Sequence, residues 1–404
     1  MTETTESLSD APPRPSTPRD RRMAPFIAVA MSIIVGVHLF VGWRLFGTLG
    51  LETPSGALAW GVLALSAALI PSGLLGRFFL RPALADGLAW LGLTMMGFMS
   101  FLLVGTFLRD IALLVLKFLP DEGGVTRADL VSGGGLALLP ISAVFSAVGY
   151  FYARRLPPIV RVPVVVAGLD PRLEGLRIVQ LSDVHIGPTI KRSHIERLVA
   201  LVNGLDADIV AITGDLVDGS VAALRDDAAP VENLRSHHGT FFVTGNHEYY
   251  AGVEAWVAEL RRLGLTVLRN EHRVLTHAGA HLVVAGVDDY NAPRMGATNR
   301  SDPAAAVAGA PVGLFRLLLA HQPRSAFAAA EAGVDLQLSG HTHGGQFVPW
   351  NLFVPLQQPF THSLRRLGKL QIYTSRGTGY WGPPVRLGAP SEITLLTLTS
   401  GHAA

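Results

Sequence analysis

The chain has no cysteine among its 404 residues. Disulfides, thiolate metal sites and cysteine nucleophiles are therefore excluded. Any metal centre must be built from nitrogen and oxygen ligands. Charge is also scarce: Asp, Glu, Lys and Arg make up 16% of the sequence, against 49% hydrophobic residues. Soluble domains carry about a quarter charged residues. That deficit places much of the chain in lipid or in a very large core. The charges present nearly cancel, leaving +2, so nothing points to a nucleic-acid partner and none is expected.

What the sequence does have is long apolar runs. After a Ser-, Thr-, Pro- and Arg-rich tail (1–23) that reads as disordered, four runs of roughly 20 residues follow, at about 24–46, 56–75, 87–108 and 131–152. A helix of that length crosses the ~30 Å hydrocarbon layer. Apart from Arg44 at the end of the first, their interiors hold no Asp, Glu, Lys or Arg, which are costly at that depth. A four-helix transmembrane region is expected, and the membrane bilayer is its partner. The run Ile111–Leu119 is too short to span, and either extends the third helix or lies at the interface. Within the first span, His38 is expected to pack or snorkel near its end.

Basic residues set the expected orientation. Nine lie on one side of a four-span chain: Arg14, Arg19, Arg21, Arg22, Arg77, Arg81, Arg154, Arg155 and Arg161. Four lie on the other: Arg44, Arg109, Lys117 and Arg127. The side with nine is expected to be cytoplasmic, together with everything that follows the fourth span.

Past a linker (153–161) the texture changes. From residue 162 to about 400, short β-rich runs (Ile178–Leu181, Ile209–Thr213, Phe241–Thr244, Leu282–Gly286, Leu317–Ala320, Val334–Leu338, Leu370–Thr374, Ile393–Leu398) alternate with helical segments such as Arg192–Leu205, Val253–Leu263 and Arg324–Ala332. Strands alternating with helices indicate an α/β layered domain.

Five motifs each sit just past the end of an expected strand, the edge where α/β sheets hold ligands. They are Asp183-Val184-His185, Gly214-Asp215-Leu216-Val217-Asp218, Gly245-Asn246-His247-Glu248, a lone His321, and Gly340-His341-Thr342-His343-Gly344. Singly, each could be a turn or an exposed histidine; His194, His237 and His238 are read that way, as exposed or turn residues. As an ordered set they describe a two-cation phosphoester site. Two cations about 3.5–4 Å apart clamp phosphate oxygens and generate a hydroxide near neutral pH. A carboxylate must bridge them, and neutral imidazoles and amides complete the shells without repelling the substrate. Mixed N and O ligands suit Mn, Fe or Zn.

The set Asp-x-His, Gly-Asp-x-x-Asp, Gly-Asn-His-Glu, His, Gly-His-x-His is similar to the calcineurin-like metallophosphoesterase superfamily. Gly-His-Thr-His-Gly-Gly-Gln, Ser375-Arg376-Gly377 and Pro390-Ser391-Glu392-Ile393-Thr394 resemble its bacterial branch, often fused to membrane helices. The resemblance implies a four-layer αββα sandwich. It also implies two divalent metal ions, with Asp183, His185 and His343 on one, Asn246, His321 and His341 on the other, and Asp215 bridging both. His247 would be the catalytic acid, and Asp218 and Glu248 would orient ligand imidazoles. The substrate would be a phosphodiester, phosphomonoester or pyrophosphate. A non-hydrolysing phosphate sensor is the alternative. A lipid-linked substrate is one expectation, because Phe347, Trp350, Leu352, Phe353, Leu356 and Phe360 form an apolar loop just after the last motif.

Overall fold

The computed structural model describes residues 18–47, 52–76, 79–118 and 127–401. Residues 1–17 of the expected tail, and Arg77 from the basic count, lie outside them. Four helices are long and apolar enough to cross a membrane: α1 (Pro18–Phe46, from Ala28 by composition), α2 (Pro54–Leu75), α3 (Pro82–Val115) and, after a short α4 (Arg127–Ser132), α5 (Gly134–Arg154). The helix α1 begins inside the expected tail. The helix α3 has 34 residues rather than the 22 of its apolar core, because nothing between Leu108 and Val115 breaks it. Most of Ile111–Leu119 is therefore its continuation. His38 does not snorkel: its ring bonds Ile34 O at 2.7 Å and Ser66 Oγ of α2 at 3.0 Å. At the far end of the bundle, Arg44 meets Asp110 at 2.7 Å, and Arg109 donates to the carbonyls of Arg44, Leu130 and Val131.

The expected linker is mostly structured. The helix α5 runs to Arg154, and strand β1 (Ile159–Val166) opens four residues later. The remaining strands are β2 (Arg177–Leu181), β3 (Ile209–Ile212), β4 (Thr240–Phe242), β5 (Thr266–Val267), β6 (Glu271–His277), β7 (Ala280–Gly286), β8 (Phe315–Leu319), β9 (Leu336–Ser339), β10 (Ser363–Leu367), β11 (Leu370–Thr374) and β12 (Ile393–Ser400). They form two six-stranded sheets, β1-β12-β2-β3-β4-β5 and β10-β11-β9-β8-β7-β6. Strands β2 to β5 run parallel to one another, as do β7, β8, β9 and β11. Parallel strands need helical crossovers and burial on both faces, which explains the near-continuous apolar runs.

Three apolar clusters fill the sandwich. The central one joins inward residues of both sheets, Ile178, Ile209 and Phe241 against Leu282, Leu317 and Leu336. An outer one packs Leu181, Val210 and Phe242 under helix α6 (Arg192–Asn203) and under Trp256. The other covers Val283, Leu318 and Ile372 with Ala306, Ala326 and Ala329. Helix, sheet, sheet, helix: the fold is the four-layer αββα sandwich. The helical segment expected over Arg324–Ala332 is a 3-10 turn (Pro323–Ser325) followed by a helix from Ala326.

Candidate metal centre

Every motif lies two to four residues beyond a strand. Asp183 follows β2, Asp215 follows β3, Asn246 follows β4, His321 follows β8 and His341 follows β9. These strands belong to both sheets and discharge at one edge, so the seven expected ligand residues converge although they span 160 positions of sequence. The local backbone is unusual. Asp183, His185, Asp215, His341 and His343 all have positive φ, between 50° and 69°. Non-glycine residues rarely adopt that region, and such conformations persist where surrounding structure enforces them. The turns are also packed against one another. A Cβ at Gly245 would stand 2.2 Å from Asp215 Oδ1, and one at Gly340 would stand 2.2 Å from Asp183 Oδ2. Only glycine allows these loops to approach so closely.

Three ligand groups result, each with donor atoms within 4.8 Å of one another: Asp183, His185 and His343; His185, Asp215 and His247; Asp215, His321 and His341. Asp215 belongs to two of them. His321 Nδ1 donates to Thr213 O at 2.8 Å, which turns Nε2 toward the carboxylate side of the site. That atom faces Asp215 Oδ2 at 3.2 Å, His341 Nδ1 at 3.1 Å and Asn246 Oδ1 at 3.3 Å. His185 Nδ1 meets Asp218 Oδ1 at 2.7 Å, and its Nε2 faces His343 Nε2 at 3.1 Å. Ring nitrogens and carboxylate oxygens this close and this buried need positive charge among them, from ring protons or from bound cations. The residues present therefore fit divalent metal ions.

The electrostatics agree. Burial pushes the Asp215 carboxyl up, but His321 and His247 outweigh it and hold Asp215 well below the usual range. Burial and the neighbouring His321 charge lower His341 to about 3, so its imidazole is neutral. Burial disfavours protonation of His247, yet Asp215 and Asp218 raise it to about 9.

The supporting residues have defined tasks. Asp218 Oδ1 binds Nδ1 of both His185 (2.7 Å) and His247 (2.8 Å). Glu248 does not touch an imidazole. Its carboxylate accepts the backbone N–H groups of Gly245, Asp215, Leu216 and Val217, pinning two metal loops together. Burial and the Asp215 charge push it up to about 8. Among the histidines set aside in the sequence, His237 is exposed and pairs with Asp208 at 3.0 Å. His194, by contrast, is 5% exposed: it faces the core side of α6, and its position at the helix start did not predict that.

Three residues around the site carry no motif. Trp381 and Tyr250 are exposed, and their rings lie 5.9 and 5.5 Å from that of His247. Arg386 is fully buried. Its guanidinium donates to the carbonyls of His343, Arg376, Gly379 and Ala389 and lies 2.9 Å from His343 Nδ1.

The calcineurin-like phosphoesterase family matches residues 176–345. A "Transmembrane protein with metallophosphoesterase domain" from Bos taurus is 41% identical over 65% of this chain and 63% of its own length. An "Uncharacterized metallophosphoesterase" from Helicobacter pylori (strain J99) is 39% identical over 72% of this chain and 75% of its own. Another from Aquifex aeolicus is 34% identical over 56% of this chain and 87% of its own. The chain thus spans less than two thirds of the Bos taurus relative, but three quarters or more of the two bacterial ones. With four helices of membrane-crossing length and composition, it is a membrane protein, and it belongs to the calcineurin-like metallophosphoesterase family.

Proposed function

We propose that this protein hydrolyses phosphoester bonds with two divalent cations, Mn, Fe or Zn, its helices crossing the bilayer four times and its site in the domain that follows from residue 159. The observation that carries this is the Asp215 carboxylate, which lies within 4.8 Å of His321 and His341 on one side and of His185 and His247 on the other. Asp183, His185 and His343 would hold one cation and Asn246, His321 and His341 the other, with Asp215 touching both. When bound, such a pair supplies Lewis acidity toward phosphate oxygens and a nucleophile near neutral pH. The protein's own groups do the rest. Asp218 fixes the His247 ring through Nδ1 and leaves Nε2, 4.0 Å from Asp215 Oδ2, to hand a proton to the leaving oxygen. Bound cations would oppose the Asp215 and Asp218 charges that raise His247, and so would ease that transfer.

The domain is assigned to the cytoplasmic face. Its substrate is assigned to phosphoesters presented at the membrane surface, lipid-linked ones in particular. The short joint, residues 155–158, and the ion pair of Lys191 with Asp86 at the start of α3 (2.8 Å) favour a site held close to the bilayer.

The test is turnover of the purified full chain, supplied with Mn²⁺, on chromogenic phosphodiesters and phosphomonoesters and on phospholipid vesicles. His247→Gln should cut kcat by about 10²-fold or more with both cations retained by elemental analysis. Metal and phosphate binding without turnover in Mn, Fe and Zn alike would establish the sensor alternative instead.

A further inference from the structure

The loop that follows the last metal motif leaves the domain and lies against the membrane helices. Trp350 Nε1 donates to Ser100 Oγ of α3 at 2.8 Å. Phe347 packs against Phe101 with ring centroids 5.5 Å apart and the rings tilted by 53°, and Val385 completes this cluster. Ser100 is not near an end of its helix. From Ser100 to Val115, the last residue of α3, there are 15 positions, about 22 Å at 1.5 Å per residue. From Ser100 to the Arg44–Asp110–Arg109 cluster there are nine, about 14 Å. The hydrocarbon layer is about 30 Å thick, and helix tilt only shortens these depths. Whichever of the two marks the far boundary, Ser100 lies within the apolar layer, and Trp350 lies beside it.

The loop has the properties that depth requires. Residues 345–364 contain no Asp, Glu, Lys or Arg. Leu352, Phe353 and Leu356 are 71%, 53% and 82% exposed, while Phe347 and Phe360 pack inward. Lipid penalises unsatisfied backbone donors, and most of the loop's are taken up. Two 3-10 turns, Trp350–Leu352 and Val354–Leu356, close bonds from the N–H groups of Trp350, Leu352, Phe353, Leu356, Gln357 and Gln358 to carbonyls of the loop itself. Val348 N donates to Leu387 O, and Pro349 and Pro355 have no N–H to satisfy.

We propose that the segment Val348–Leu356 is immersed in the bilayer, and that the mouth of the metal site opens at its surface. Trp381 connects the two. Its backbone N–H and carbonyl are both bound by the Gln346 side chain, next to Phe347, and its exposed ring flanks His247. A phosphoester head group can thus reach His247 while its acyl chains stay in lipid. That last step rests on the hydrolase reading; the immersion itself does not.

The absence of cysteine makes the experiment direct. Leu352→Cys and Leu356→Cys are each labelled with a nitroxide in the full chain and placed in nanodiscs of phosphatidylcholine and phosphatidylglycerol. Val312→Cys, at a position 94% exposed in the sandwich, is the aqueous control. Electron-spin power saturation compares oxygen, which concentrates in lipid, with a nickel chelate, which does not. Oxygen should dominate at 352 and 356 and the chelate at 312. Chelate accessibility at 352 and 356 equal to that at 312, in variants with unchanged circular dichroism, overturns the proposal whether or not the protein proves to be a hydrolase.

Discussion

At the scale of single residues, charge decides which substitutions matter. Under the proposed function Asp215 lies between two cations, so Asp215→Asn would remove the anion that keeps them close, and their mutual repulsion at about 3.5–4 Å would then act unopposed. Asp218 instead accepts from the outer nitrogens of His185 and His247, a support whose loss weakens metal binding or activity by about 10–100-fold. Elemental analysis should find Asp215→Asn depleted of both metals, and Asp218→Asn retaining them at saturating Mn²⁺ with reduced turnover. A second prediction concerns His194. Burial and the Arg154 and Arg197 charges lower it to about 4, and its Nδ1 has no partner. The unfolded chain binds this proton near 6.5, the folded one only near 4. Stability is therefore unaffected above about pH 7 and falls as pH drops through 6.5 toward 4, by at most roughly 3 kcal/mol. The difference in melting midpoint between wild type and His194→Leu in detergent should shrink in the wild type's disfavour as pH falls from 7.5 to 4.5; a constant difference refutes it. The motif residues were legible because carboxylate, imidazole and amide at strand ends form a chemical pattern. Trp381, Tyr250 and Arg386 were not. A lone arginine in Gly-Pro-Pro-Val-Arg-Leu-Gly gives no hint that it will be buried against a metal loop.

At the scale of elements, the strands that sequence reading missed share one property. The strands β5, β6 and β10 were absent from it, and the expected linker ran on to residue 161, into β1, which opens at Ile159. These four are the four sheet edges. Interior strands read as apolar runs because both faces are covered, whereas edges are short or carry charge. The strand β10 is Ser-Leu-Arg-Arg-Leu, β6 is Glu-His-Arg-Val-Leu-Thr-His and β1 contains Pro163, tolerated at an edge. The helices in lipid were legible from apolar length alone, but their contacts were not. Val385 wedges between α3 and α5: a Cβ at Gly97 would stand 2.9 Å from one of its methyls, and a Cβ at Gly149 would stand 2.5 Å from the other. Next to it, Arg386 N donates to Gly149 O at 2.9 Å, while its guanidinium holds His343. Gly149→Val must separate α5 from this segment, lowering the melting midpoint by several degrees, the usual shift for 1–2 kcal/mol, and weakening metal retention against a chelator. Gly36→Val, where a Cβ meets nothing within 4 Å, should change neither. Unaltered metal retention in Gly149→Val would disconnect the helix from the site.

At the scale of the whole molecule, sequence separates a membrane region from a metallophosphoesterase domain, and the structure joins them. Ser100 and Trp350 are 250 positions apart, a distance over which periodicity carries no information about pairing. Arg154, one of the basic residues that set the expected orientation, donates to Thr189 O and Tyr380 OH and lies over the Trp90 ring. It is a rivet between α5 and the domain, so it counts toward the topology rule without being free to bind lipid. The orientation argument still holds, because that rule concerns residues that resist translocation during insertion, before such contacts form. Arg81, Arg154, Arg155 and Arg161 flank the membrane on the domain's side, and the far side's Arg44 is matched by Asp110. The domain side should therefore face the cytoplasm. A fluorescent protein that matures only in the cytoplasm, fused after residue 404, should be bright, and alkaline phosphatase at the same point should be inactive. The same pair fused after Lys117, between α3 and α4, should give the opposite result. If phosphatase were active at the C-terminus and silent after Lys117, the bundle would be inverted, and the site would meet the outer leaflet instead.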